Sequence, residues 1–162
     1  MPNRKFVFDF DSTLTSVEGL DVLAEISLRN NPDKSIVVNK IQEITDRGID
    51  GDISFSDSLS SRIALLNANK SQLLELIELL KTKLSNSVKA NKEFFNKYRD
   101  QIYVISCGFK EFIEPVVAEL NIEPERVFAN TFVFDEDDLI IGFDQTNPLS
   151  QHNGKVNCLK SS

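Results

Sequence analysis

The chain has 162 residues, 41% of them apolar, enough for one hydrophobic core with a small insertion. Its net charge is −7, with 25 acidic against 18 basic residues, which argues against a nucleic-acid backbone or an anionic membrane as partner. No apolar run reaches the length of a membrane span. Cys107 and Cys158, far apart and without metal-ligand spacing, read as reduced thiols of a cytoplasmic protein, with a disulfide the less common alternative.

The run Phe6-Val7-Phe8 predicts a buried strand that stops at two carboxylates, Asp9 and Asp11, and two hydroxyls, Ser12 and Thr13. From Ser16 to about Ser85 no strand is predicted. Leu20, Leu23, Ala24 and Ile26 fall near helical spacing before a break at Asn30 to Asp33. Ile36, Val37, Ile41 and Ile44 mark a second helix ending at the turn from Gly48 to Gly51. Ser54, with Asp57 three residues on, predicts the N-cap of a third helix carrying Phe55, Leu59, Ile63 and Leu66 on one face. A fourth begins near Ser71 and carries Leu73, Leu74, Ile77, Leu80 and Leu84.

An α/β alternation then resumes. Lys89 to Tyr98 predicts a helix, Gln101 to Ile105 a buried strand, Ser106-Cys107-Gly108 a loop, and Phe109 to Leu120 a helix. Arg126 to Ala129 predicts a short strand. Phe132 to Phe134 and Leu139 to Phe143 flank the acids Asp135 to Asp138 as a β-hairpin. Pro148 to Asn153 reads as a polar loop, and Gly154-Lys155-Val156 as the start of a helix. The expected fold class is α/β, a Rossmann-like parallel sheet with a small helical cap inserted after the first strand. The core is expected to comprise residues 1–15 and 86–162, and the cap residues 16–85.

Two carboxylates at the C-terminal end of a strand suit a cation or a phosphate, because loops and helix N-termini gather at that edge of an open sheet. A carboxylate that attacks phosphorus needs a cation to offset repulsion and a second carboxyl to protonate the leaving oxygen. Two solvated acids ending a strand are the plainer alternative for Asp9 and Asp11 taken alone. Ser106 and Gly108 close the next strand, where a hydroxyl and free N–H groups form a phosphate cradle, or simply an N-cap and a turn. Lys155 at a helix start supplies a positive charge to such a site, or is a surface lysine.

The stretch from Phe8 to Leu14, then Ser106 to Phe109, then Lys155, resembles the first three motifs of the haloacid dehalogenase superfamily, closest to its phosphoserine phosphatase-like branch. Glu18 and the helix carrying Phe55, Leu59 and Arg62 match that branch too, and the likeness covers nearly the whole chain. The resemblance implies a Mg²⁺-dependent phosphomonoester hydrolase. Asp9 would be the nucleophile that becomes phosphorylated, and Asp11 the general acid and then the base. The Asp9 carboxylate and the Asp11 main-chain carbonyl would ligate the metal. Ser106, with the N–H of Cys107 or Gly108, would hold phosphate oxygens, and Lys155 would neutralise charge. Glu18 and Arg62 would read the ammonium and carboxylate of phosphoserine, the implied small-molecule partner.

Four departures from that pattern are visible. Cys107 stands where close relatives carry Gly, at a cost of about 1 kcal/mol or more if its φ is positive. Ile49 stands where the branch tends to have Met, and Lys155 follows Gly154 directly. The family's fourth motif, an acidic glycine loop after another strand, is not found up to Ser162. An N-terminal fragment of a longer enzyme is therefore expected, with very low Mg²⁺-dependent activity and an open hydrophobic edge at Phe6 to Phe8. Two other readings stand beside phosphoserine hydrolysis: a phosphatase for another small phosphomonoester, and a non-catalytic module that binds a phosphorylated ligand.

Overall fold

The computed structural model describes residues 4–151 together with Gly154 and Lys155. Three parallel strands form a sheet in the order β1-β2-β3, where β1 is Phe6–Phe8, β2 Ile102–Phe109 and β3 Val127–Asn130. Phe6, Val7 and Phe8 pair with Ile102, Tyr103 and Val104, and Val104 pairs in turn with Val127. Central β2 buries Ile102, Val104 and Ile105, as a strand with parallel neighbours on both sides must. The parallel order brings the C-terminal ends of all three strands to one edge, near Asp9, Ser106 to Phe109, and Asn130.

The insertion that follows β1 holds four helices: α1 (Gly19–Ser27), α2 (Lys34–Ile49), α3 (Phe55–Leu66) and α4 (Lys70–Lys81). The chain enters and leaves this insertion at one place. Ser16 N–H donates to the Lys83 carbonyl at 2.8 Å and Ser85 N–H to the Leu14 carbonyl at 2.9 Å. Ser54 caps α3 by accepting the Asp57 N–H at 3.0 Å, and Asn69 and Gln72 form a reciprocal capping box at the start of α4. α4 packs against α1 and against α7 (Lys110–Val117), with Leu76 and Leu80 buried on α4 and Phe112, Ile113, Val116 and Val117 buried on α7. Each such side chain contributes roughly 1.5–3 kcal/mol by leaving water, so these contacts join the insertion to the sheet layer. β4 (Phe132–Phe134) and β5 (Ile140–Phe143) form an antiparallel pair, anchored by Phe132 stacked on Phe109 with ring centroids 3.8 Å apart.

Several local expectations are corrected. Leu74 is 65% exposed, because it follows Leu73 by one residue and turns about 100° away from the buried face. Leu84 lies beyond α4 and pairs instead with Thr15 in an isolated bridge. The helix expected over Lys89 to Tyr98 is two short ones, α5 (Asn86–Ala90) and α6 (Lys92–Lys97), separated at Asn91, whose side chain donates to the Ser87 carbonyl at 2.7 Å. Ser106, Cys107 and Gly108 belong to β2 rather than to a loop, with a register shift between Ile105 and Phe109 where β2 meets β3. Within the stretch expected as a polar loop, Pro148–Ser150 form a 3-10 turn in which Leu149 and Ser150 are buried. Val156 and Cys158, on which the rest of the expected last helix and one thiol fall, lie outside the described residues.

β1 is half-buried rather than buried, with Val7 50% exposed, and no strand among the described residues pairs with its outer side. Unpaired N–H and C=O groups beside an exposed valine favour edge-to-edge association. Val7→Lys is expected to lower concentration-dependent light scattering while leaving the melting temperature nearly unchanged. Undiminished scattering would remove β1 as the cause of any self-association.

Candidate active site

The end of β1 is shaped by Phe10, which is buried against Phe112 with ring centroids 5.9 Å apart. Its carbonyl accepts the N–H groups of Thr13, Leu14 and Thr15 at 3.0–3.2 Å, a tight turn that carries the two flanking acids to the sheet edge. Asp9 accepts the Phe10 N–H on Oδ1 at 2.7 Å and the Lys155 ammonium on Oδ2 at 2.6 Å. Asp11 Oδ1 accepts the Gly19 N–H at 2.6 Å. Burial pushes the Asp11 carboxyl up to about 7, with the charges of Glu18, Asp9 and Asp21 adding to the rise and the Gly19 N–H opposing it.

Ser106 is buried, and its Oγ accepts the Gly108 N–H at 2.9 Å. Gly108's N–H is thus committed inside the protein, and the Ser106 hydroxyl proton is free to be donated to a ligand oxygen. A Cβ on Gly108 would stand 2.8 Å from Asp11 Oδ2 and 3.2 Å from Ser106 Oγ, so the Asp11 carboxylate and the Ser106 hydroxyl both lie close to this glycine. Gly108→Ala is therefore expected to displace Asp11 and to cut phosphate release about tenfold or more with little loss of melting temperature. Full activity in that variant would show that the acid does not need its present place. Cys107 is not among the residues with positive φ, so the cost expected of a side chain there is not incurred. Burial raises its thiol pKa, opposed by Lys155.

Lys155 reaches Asp9 across 146 positions of sequence, from helical backbone that needs Gly154. A side chain at 154 would collide with the Pro148 carbonyl and the Leu149 backbone. That backbone is held by Asn130, which is fully buried and donates through Nδ2 to the Cys107 carbonyl at 3.0 Å and the Leu149 carbonyl at 3.1 Å. Asn147 adds a bond to the Ala129 carbonyl at 2.8 Å. Asn130 thus joins the Ser106–Gly108 strand end to the segment that delivers Lys155. Sequence reasoning passed over it, although a polar residue closing an apolar strand at the ligand edge was the available signal.

Beside these groups is a cavity of about 400 Å³ lined by Asp11, Glu18, Asp21, Arg62, Cys107 and Gly108. Ile49, 77% exposed, stands at its rim. Arg62 donates Nε–H to the Ser58 carbonyl at 3.4 Å, one turn back on α3, and forms no ion pair among the described residues. Burial lowers its pKa, and Asp21 and Glu18 oppose that. Burial raises the Asp21 carboxyl, Glu18 adds to the rise and Arg62 opposes it. Asp21 also went unremarked in the sequence. It lies one helical turn after Glu18, and only the packing of α1 shows that both acids face the same cavity.

For a divalent metal the available donors are hard oxygens, the Asp9 carboxylate and the Asp11 main-chain carbonyl. Among the described residues no group of three or more His, Cys, Asp or Glu side chains is placed to hold an ion. Such a donor set fits Mg²⁺, which keeps several waters and takes one or two carboxylates together with substrate phosphate oxygens.

Comparison with known proteins gives a family and a set of relatives. The model of the haloacid dehalogenase-like hydrolases matches residues 6–162. The phosphoserine phosphatase of Homo sapiens is 31% identical over 153 residues, covering 94% of this chain and 64% of that protein. The chloroplastic phosphoserine phosphatase of Arabidopsis thaliana is 30% identical over 153 residues, covering 94% of this chain and 49% of that protein. The chain thus spans less than two thirds of the length of these relatives. The crystal structure of a phosphoserine phosphohydrolase-like protein from Francisella tularensis superposes with a TM-score of 0.79 at 29% identity, over 98% of this chain and 73% of the other.

Proposed function

This chain belongs to the haloacid dehalogenase-like hydrolases, and on that premise we propose that its site hydrolyses a small phosphomonoester, O-phospho-L-serine, through a phosphorylated Asp9. The observation that carries this reading is the convergence at one sheet edge of a carboxylate paired with a lysine, a carboxyl that burial pushes up to about 7, and a buried serine hydroxyl. Asp9 attacks phosphorus, forming an acyl phosphate as the bond to the serine oxygen breaks. Asp11, protonated before the reaction, gives its proton to that departing oxygen. The resulting Asp11 carboxylate then takes a proton from water as the water oxygen bonds to phosphorus and the Asp9–phosphorus bond breaks. Ser106 donates to a phosphate oxygen, and the Lys155 ammonium offsets the negative charge gathered around Asp9. When bound by the Asp9 carboxylate and the Asp11 carbonyl, Mg²⁺ supplies further charge neutralisation at the phosphate.

Residues 16–85 act as a cap that sets Glu18 and Arg62 over the carboxylates borne by the remainder of the chain. Arg62, free of any ion pair among the described residues, is available for a bidentate contact to the substrate carboxylate. Glu18, with Asp21 beside it, suits the ammonium. The relatives' names agree with this choice of substrate. Phosphate release from O-phospho-L-serine, O-phosphoethanolamine and glycerol phosphate in Mg²⁺ tests it. The first is expected to exceed the others in kcat/KM by about tenfold or more, since removing either charged group leaves a cavity charge unpaired. Equal values would refute the amino-acid assignment, and binding of phosphoserine without any release would leave a binding module.

A further inference from the structure

The segment between the strand-end acids and α1 is zipped together residue by residue. The Gly19 N–H holds Asp11 at 2.6 Å, while the Ser12 hydroxyl donates to Glu18 Oε1 at 2.8 Å. The Ser12 N–H donates to the Val17 carbonyl at 3.1 Å, and the Thr15 hydroxyl donates to the same carbonyl at 2.9 Å. Ser12 itself has φ of 57°, in the left-handed region that disfavours a residue with a Cβ. A glycine would take that turn without strain and would lack the hydroxyl.

Glu18 needs an outside partner to hold its carboxylate. It occupies the N-cap position of α1, yet its side chain makes no capping hydrogen bond, and it forms no ion pair among the described residues. It also borders two cavities. One is the 400 Å³ cavity with Asp11 and Arg62, and the other, about 480 Å³, is lined by Ser12, Ser16, Glu25 and Val38. An exposed, unanchored glutamate divides its time among rotamers facing either one. The Ser12 hydroxyl removes that freedom by fixing Oε1, and Oε2 has no hydrogen-bond partner among the described residues.

We propose that Ser12 is a positioning residue for substrate selection, its hydroxyl holding Glu18 so that Oε2 meets the ammonium of an amino-acid phosphomonoester. This rests on the reading of Glu18 as the ammonium site. Because Asp11 is tied separately to the Gly19 N–H, the Ser12 hydroxyl acts on which ligand is accepted and leaves the acid in place.

A pair of phosphonates that cannot be hydrolysed tests the inference on the whole chain in Mg²⁺. They are L-2-amino-4-phosphonobutanoate and 4-phosphonobutanoate, which differ only in the amino group, with dissociation constants measured by calorimetry. The unsubstituted chain is expected to prefer the amino ligand. Ser12→Ala and Ser12→Gly are each expected to reduce that preference by about three- to tenfold, with affinity for the des-amino ligand held within about twofold. The glycine variant relieves the left-handed strain, so its agreement with the alanine variant assigns the effect to the hydroxyl. In a Glu18→Ala background the Ser12 substitutions are expected to change nothing further. A preference kept by both Ser12 variants but lost in Glu18→Ala overturns the role of Ser12 alone. Equal weakening of both ligands overturns it too. No preference in the unsubstituted chain overturns the ammonium reading itself.

Discussion

Asp9→Asn is expected to abolish phosphate release from O-phospho-L-serine, by about a thousandfold or more, in a protein that still folds. An amide neither attacks phosphorus nor forms the acyl phosphate, and removing a covalent nucleophile costs far more than removing a group that only orients. The substitution also deletes the ion pair with Lys155. Both partners of that pair are 40% exposed, and such pairs contribute about 1 kcal/mol or less. The loss of activity should therefore appear beside nearly unchanged circular dichroism and melting temperature. Lys155→Ala, which removes the neighbouring charge and keeps the nucleophile, is expected to lose much less. Activity in Asp9→Asn within tenfold of the parent would mean that water attacks the substrate directly.

Asp11→Asn is expected to move activity and stability in opposite directions. Without a proton to give to the serine oxygen, phosphate release falls by roughly a hundredfold or more. For stability, the folded-state pKa of about 7 lies above the ordinary 3.8, so between those values the folded chain binds a proton that the unfolded chain has released. Asp11 thus destabilises the fold increasingly as pH rises through that window, and by its full amount above about 7. Asparagine removes this penalty, so denaturation in the presence of EDTA should show the variant more stable by roughly 1–3 kcal/mol at about pH 8, allowing for partial solvent screening. The difference should vanish near pH 4. A variant less stable than its parent at pH 8 would show that the carboxylate is better accommodated than its burial implies. For the same reason the step that uses protonated Asp11 should slow as pH rises beyond about 7 in the parent.

What the sequence displayed and what it concealed divide along physical lines. Local signals were readable: the apolar strand closed by Asp9 and Asp11, the Ser54 cap, and the hairpin around Asp135 to Asp138. Their physics is contained within a few residues. Ser106 and Gly108 looked like loop formers because both weaken strands in isolation, yet they continue β2 through the irregular stretch between its pairings with β3 at Ile105 and Phe109. Phe6 to Phe8 read as an apolar strand with an open edge, and β1 does lie at the edge of the three-stranded sheet with Val7 exposed. Asp21 and Asn130 escaped notice, and Ser12 was seen only as a hydroxyl following the acids, because their roles depend on which way a helix faces, which carbonyls lie opposite, and one positive φ. Lys155 was marked by its place at a helix start and by likeness to a family pattern, but nothing in its spacing announced the contact with Asp9 that the fold creates.

Covalent trapping at Asp9 is the most direct examination of the mechanism. The unsubstituted chain, mixed with O-phospho-L-serine and Mg²⁺ and quenched into borohydride during turnover, should yield a peptide in which residue 9 has been reduced to homoserine. The untreated chain and the Asp9→Asn variant should show no such product. Sustained phosphate release with Asp9 unmodified in every quenched sample, or reduction at a different carboxylate, would contradict the account.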